Sequence, residues 1–118
     1  MARPFRPSEF ARALSDALGL PRTAGLIVGA LAHARESLAV DQIVRRVQSS
    51  ERSVRENLQV LLRRGLLIRT VFVTANKKLA YVYSLKPVDD LLAAARKEVA
   101  RTMGRIETVA RRVRGTRG

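Results

Sequence analysis

The sequence predicts a mainly α fold with one β-hairpin, closed by a long C-terminal helix. Three observations carry that expectation. Apolar residues recur at helical spacing from Phe10 to Leu62, and the period drops to two between Leu66 and Leu85. An apolar residue then returns at every seventh place, at Leu85, Leu92, Val99, Ile106 and Val113, and a second register, Val88, Ala95, Thr102 and Val109, follows three residues behind. Together these make a heptad seam with its a and d positions filled over about four repeats. One helix cannot bury such a stripe alone. Leu85, Leu92, Ala95, Val99, Thr102, Ile106, Val109 and Val113 are therefore expected to pair two copies of the chain, through an isologous two-fold contact.

Composition narrows the classes. The 118 residues allow one compact domain with an extension and little room for a separate ligand-binding domain. Aromatic residues make up only 4%, so the core must rest on Leu, Val, Ile and Ala. Without cysteine there are no disulfides and no thiolate metal sites. No apolar run approaches the ~20 residues of a membrane span, and no signal-peptide core stands at the N-terminus, so a cytoplasmic, nucleoid-associated protein is expected. Lys and Arg number 23 against 10 Asp and Glu, a formal charge of +13. Such a surplus attracts polyanions through phosphate neutralisation and counterion release. Heat-adapted surfaces rich in Arg usually balance it with Glu, and this one does not.

In chain order, residues 1–7 form a basic arm with Arg3, Pro4, Arg6 and Pro7. Ser8 suits the N-cap of a helix through Leu18, with Phe10, Leu14 and Leu18 on one face and Gly19 closing it. Pro21 suits the first turn of a second helix to about Arg35, striped by Ala24, Ile27, Val28 and Leu31. Gly25 and Gly29 on that helix allow another to approach closely. A short extended piece at Leu38 and Ala39 follows. The third helix is expected from Asp41 to about Gln48, with Ile43, Val44 and Val47 inward and Arg45 and Arg46 outward. After a tight turn, the fourth runs from Ser50 to Arg64, burying Val54, Leu58, Leu61 and Leu62, and ends at Gly65. Leu66–Ala75 and Leu79–Leu85 are the hairpin strands, with Asn76, Lys77 and Lys78 at the tip. Pro87 opens the long helix, Asp89 and Asp90 sit in its first turn where the macrodipole favours anions, and residues 114–118 read as a frayed basic tail. The expected organisation is thus an arm at 1–7, a body at 8–86, a dimerisation helix at 87–113 and a tail at 114–118.

Helix, short strand, helix, tight turn, helix and hairpin in that order describe a winged helix-turn-helix. Its second helix is placed to enter a major groove while the hairpin touches the backbone alongside. The stretch Val40–Leu67, above all Asp41-Gln-Ile-Val-Arg-Arg-Val and Ser53-Val-Arg-Glu-Asn-Leu-Gln-Val-Leu-Leu-Arg-Arg-Gly-Leu-Leu, resembles the winged-helix domains of MarR-like and TrmB-like prokaryotic regulators. Leu20-Pro21 ahead of the second helix and the Pro87 junction into a long helix are similar too, so the resemblance covers about residues 18 to 110. The compact size and C-terminal helix look like the small Lrs-like winged-helix proteins of archaea. What the resemblance implies is a regulator of transcription. MarR-like proteins often hold small acids between helices; nothing in these residues marks such a pocket, and an effector is left open.

On the fourth helix, Arg52 has the donors for guanine O6 and N7, and Gln59 the amide geometry for adenine. Ser50 and Ser53 suit phosphates near the helix N-terminus, and Arg55 and Glu56 complete the candidate set. Arg55 has an ordinary alternative, an ion pair with Glu51 four residues before it. Asn76, Lys77 and Lys78 at the hairpin tip, with Arg69, Arg45 and Arg46 flanking, suit the backbone, although lysine at such a place also discourages strand pairing. Tyr81 and Tyr83 are expected to pack on the body. His33, the only histidine, is expected to be structural or exposed. No catalytic constellation, metal cluster or phosphate-cradling glycine loop stands out, so neither an enzyme nor a cofactor is expected. The function expected is that of a homodimeric, sequence-specific binder of double-stranded DNA. The competing reading is an architectural chromatin protein with little sequence preference.

Overall fold

The computed structural model of the chain describes residues 7–117; the basic arm expected at residues 1–7 lies outside them but for Pro7. Five helices and three strands follow in the order α1 (Pro7–Leu18), α2 (Arg22–Ala34), β1 (Leu38–Ala39), α3 (Val40–Val47), α4 (Glu51–Arg63), β2 (Leu67–Val73), β3 (Leu79–Leu85) and α5 (Val88–Arg117). This is the winged helix-turn-helix that the sequence order predicts. Pro21 stands one place outside α2, as its N-cap, where the missing N–H costs nothing.

The three helices α2, α3 and α4 close on one apolar centre. Ile27, Leu38, Ile43, Val54, Leu58, Leu61 and Leu66 are essentially without solvent contact. Burying each side chain of this size is worth ~1.5–3 kcal/mol, so these positions dominate the stability of the body. The path of α1 across α2 depends on Gly25: a Cβ there would stand 3.2 Å from Ser15 Oγ, tighter than an ordinary contact. The Ser15 hydroxyl donates to Ala11 O at 2.7 Å, which keeps it satisfied in this crowded seam.

The short piece at Leu38–Ala39 is a true strand. It pairs antiparallel with β3, Leu38 opposite Tyr83, and the sheet order is β1-β3-β2. In the hairpin Leu67 faces Leu85 and Val73 faces Leu79. Thr74 O accepts from Lys77 N at 2.9 Å and Thr74 N donates to Lys78 O at 2.8 Å, which closes a three-residue loop. Lys77 takes the left-handed place in it, with φ 58°, where glycine is usual. The passage from α4 into the sheet turns at Gly65, φ 73°, a conformation that side chains with a Cβ disfavour.

Three expectations about the last helix are corrected. Leu85 is not on it: it ends β3, is partly buried and packs against the body's own core. Leu91, outside the heptad seam, is the residue that docks α5 on the body and is fully buried, with Ala94 and Ala95 beside it. Ala95 is therefore shared between the seam and the body. Finally, the helix does not fray at residue 114 but continues to Arg117, with the Thr116 hydroxyl donating to Arg112 O at 2.7 Å. Arg is a good helix former, and no proline or cap interrupts this stretch. At ~1.5 Å per residue the helix is about 45 Å long. From Val99 to Val109 every residue is exposed.

Candidate nucleic-acid interface

The turn between α3 and α4 is built from Gln48, Ser49 and Ser50. Gln48 is left-handed, φ 54°, and its N–H closes α3 on Val44 O at 2.9 Å. Gln42 Oε1 accepts from Ala39 N at 2.8 Å, satisfying an orphan donor at the other end of α3. Ser50 caps α4: its Oγ accepts from Ser53 N at 3.1 Å. The cap bond uses one lone pair of the Ser50 oxygen, so its O–H proton, with the remaining free N–H groups of the first turn, is what this end offers an anion.

Burying Val54, Leu58 and Leu61 turns the opposite side of α4 outward. At 100° per residue, Arg52, Glu56, Gln59 and Arg63 fall together on that side, with Arg55 at its margin, and all five are exposed. Ser53 and Asn57 lie at the edge, and Asn57 Nδ2 donates back to Ser53 O at 2.8 Å. Both N-terminal arginines carry an acid partner. Arg55 meets Glu51 at 3.1 Å, which is the ordinary pairing anticipated for it, and Arg52 meets Glu56 at 3.2 Å, which spacing alone did not single out. Exposed pairs of this kind are worth about 0.5 kcal/mol or less, so they orient the guanidinium groups without locking them. On α3, Arg45 reaches Asp41 at 3.6 Å and Arg46 is exposed.

The hairpin places Asn76, Lys77 and Lys78 at its exposed tip, as expected. Arg69 is exposed on β2. Its guanidinium carbon lies 4.7 Å from the centre of the Tyr81 ring, a cation–π contact partway along the hairpin. Tyr83 is buried on the body, but Tyr81 is not: it is 38% exposed and serves as the platform for Arg69. The expectation that both tyrosines pack on the body holds for Tyr83 alone. Only a residue above the body can be covered by it, and Tyr81 lies two places further out on the hairpin. The apolar character of the hairpin is a further surprise. Val73 and Leu79, partners in the last rung before the tip, are 64% and 68% exposed. Alternation predicts one buried face, but the hairpin projects past the helices that would cover it.

Sequence reasoning also missed a cleft of about 1150 Å³ where α1, the end of α2 and the β3–α5 junction meet, lined by Phe10, Leu31, Leu85 and Leu91 with Arg35 and Lys86 at its rim. It has no local signature because distant segments assemble it. His33 is exposed in the last turn of α2. Among the described residues no group of His, Asp and Glu could hold a metal ion, and no helix is long and apolar enough to cross a membrane.

No protein-family model matches the chain, and no curated protein matches it. Solved structures do. A possible transcriptional regulator from Methanosarcina mazei Go1 superposes with a TM-score of 0.73 over 87% of each chain at 12% identity. The ST1889 protein of the thermoacidophilic archaeon Sulfolobus tokodaii gives 0.65 over 89% of this chain and 99% of its own, at 18% identity. Staphylococcus aureus MepR in its DNA complex gives 0.53, covering 92% of this chain and 86% of its own, again at 18% identity. At such identities the likeness is one of architecture: the chain has the winged helix-turn-helix fold found in these proteins.

Proposed function

We propose that the chain is a homodimeric, double-stranded-DNA-binding regulator of transcription. The observation that carries this reading is the outward face of α4, where Arg52, Arg55 and Gln59 stand exposed beside a hairpin tipped by Lys77 and Lys78, on a chain of formal charge +13. In this reading the N-terminal half of α4 enters the major groove. Arg52 exchanges Glu56 for a guanine edge, Gln59 meets adenine, and the lysines at the tip grip phosphates. Ser53, Arg55, Arg45 and Arg46 flank the same face. The DNA complex of a protein similar in fold supports the assignment.

Pairing follows from α5. Leu92, Val99, Ile106, Val109 and Val113, with Met103 beside them, are between 39% and 55% exposed, an apolar stripe too long to leave in water. A second copy laid along it would set two reading heads on one face of a duplex, with half-sites ~34–36 Å apart. Bound there, the dimer would act by obstructing polymerase.

One observation favours the competing architectural reading. The +13 surplus, carried on to the far end of α5, suits a binder with little sequence preference, whereas Glu51 and Glu56 on α4 argue against pure electrostatics. A gel-shift series on palindromic and random duplexes across a salt range separates the two. A regulator is expected to prefer its site by ~10³-fold or more. Equal affinity for all duplexes identifies a chromatin protein, and no binding to either at moderate salt overturns both. Sedimentation tests pairing: a single protomer at micromolar concentration, with and without DNA, overturns the dimer.

A further inference from the structure

Resting on the DNA-binding reading, we infer a second track for a DNA backbone: the groove between the C-terminal end of α4 and α5, continued along α5, which lets one assembly hold two duplexes at once. Four cations converge on the groove, Arg63 and Arg64 from α4 and Lys97 and Arg101 from α5. Its floor is Ala93 and Ala94, whose small side chains let a backbone come close. Two of the charged groups are already oriented. Arg64 Nη1 donates to Leu18 O at 2.6 Å, which anchors it over the end of α1. Glu98, the one acid lining the groove, meets Arg101 at 3.6 Å and offsets a single charge.

The track does not stop there. Lys97, Arg101, Arg105 and Arg112 fall within about 80° of one another on α5, successive cations being ~6 Å apart along the axis over its first three members. One DNA strand carries a charge every 3.4 Å of helix axis, so each side chain meets roughly every second phosphate. Between Val99 and Arg117 the helix holds six arginines and one acid, Glu107, which lies off this face. Arg101 is nine residues from Leu92, half a turn around the helix, so Lys97 and Arg101 lie on the side away from the apolar stripe, while Arg105 and Arg112 stand at its margin. Pairing through the stripe leaves Lys97 and Arg101 outward and Arg105 and Arg112 at the edge of the seam, and a helix partner of the same sequence brings more arginine, not acid. The charge is matched only by a polyanion.

This surface is separate from the one proposed for base readout. The major groove is ~8.5 Å deep, whereas Arg63 stands eleven residues, ~16 Å, along α4 from Arg52. A duplex entered by the first turns of α4 leaves its far end and α5 available to another.

The test is capture of a labelled duplex by an immobilised one through full-length protein, with affinity for a single duplex measured in parallel. The wild type is expected to bridge. The variant Lys97→Gln/Arg101→Gln, altered only at exposed positions clear of the apolar stripe, is expected to bind one duplex within twofold of wild type and to lose bridging at least tenfold. The salt slope of bridging should fall by ~0.9 for each contact removed. Wild type that binds one duplex but never bridges overturns the second track, as does a variant that bridges equally well. A variant that loses single-duplex affinity in proportion assigns these cations to the first interface and also overturns it. Failure to bind any duplex removes the DNA-binding reading itself, which the parallel measurement identifies.

Discussion

At single residues, the molecule spends stability where it meets its proposed partner. Lys77 holds a left-handed backbone at the hairpin tip, where glycine would be unstrained. Lys77→Gly is therefore expected to raise stability by about 1 kcal/mol in denaturant titration while lowering the salt slope of DNA binding by about one unit. An unchanged slope would show that the side chain touches no phosphate. Glu56 shares Arg52. Glu56→Gln frees the guanidinium and removes a carboxylate from the candidate groove face, so affinity for random duplex should rise several-fold with little change in thermal stability. Ser50→Ala deletes the acceptor that caps α4 and should cost about 1 kcal/mol, read as a lower melting temperature. These residues were legible as candidates because each type has a fixed donor or acceptor inventory. Their partners were not: the Arg52–Glu56 and Arg55–Glu51 pairs have the same spacing, and only side-chain direction in the folded helix realises both.

At the level of elements, α5 does two jobs on two stretches. Its first turns are docked by Leu91, so Leu91→Ala, by opening a cavity under the helix, should cost about 2–5 kcal/mol in unfolding free energy. Further along, Val99 and Ile106 are about half exposed. Val99→Glu with Ile106→Glu should leave the unfolding of the body intact but shift sedimentation from two protomers to one, weakening DNA binding with it. If the double variant stays paired, the stripe is not the dimer contact. The heptad marked this helix well before its surroundings were visible, because a seven-residue repeat is a property of spacing alone. It misplaced Leu85 for the same reason: the repeat extends backward across Pro87 into β3, where an apolar residue belongs for a different cause, pairing with Leu67 over the core.

For the molecule as a whole, charge opposes compactness. A formal +13 on 118 residues is a self-repulsion that salt screens. Without DNA, the melting temperature is expected to climb as sodium chloride is raised from low concentration, while affinity for duplex falls steeply over the same range. A melting temperature indifferent to salt would place the charges too far apart to matter. The shape is elongated, with principal extents of 69 × 42 × 24 Å, and the exposed length of α5 from Val99 to Val109 carries Arg101 and Arg105 past the docked first turns.

Periodicity, cap residues and charge depend on neighbours along the chain, so element order, the helix-turn-helix, the hairpin and the basic surface could be read from residue spacing. Exposure depends on what lies across space. Folding was needed to bare both Val73 and Leu79, to lay Arg69 on Tyr81, to select Leu91 as the anchor of α5, and to draw Arg63, Arg64, Lys97 and Arg101 around one groove. No local pattern encodes such meetings, because they arise only when helices distant in sequence pack into contact.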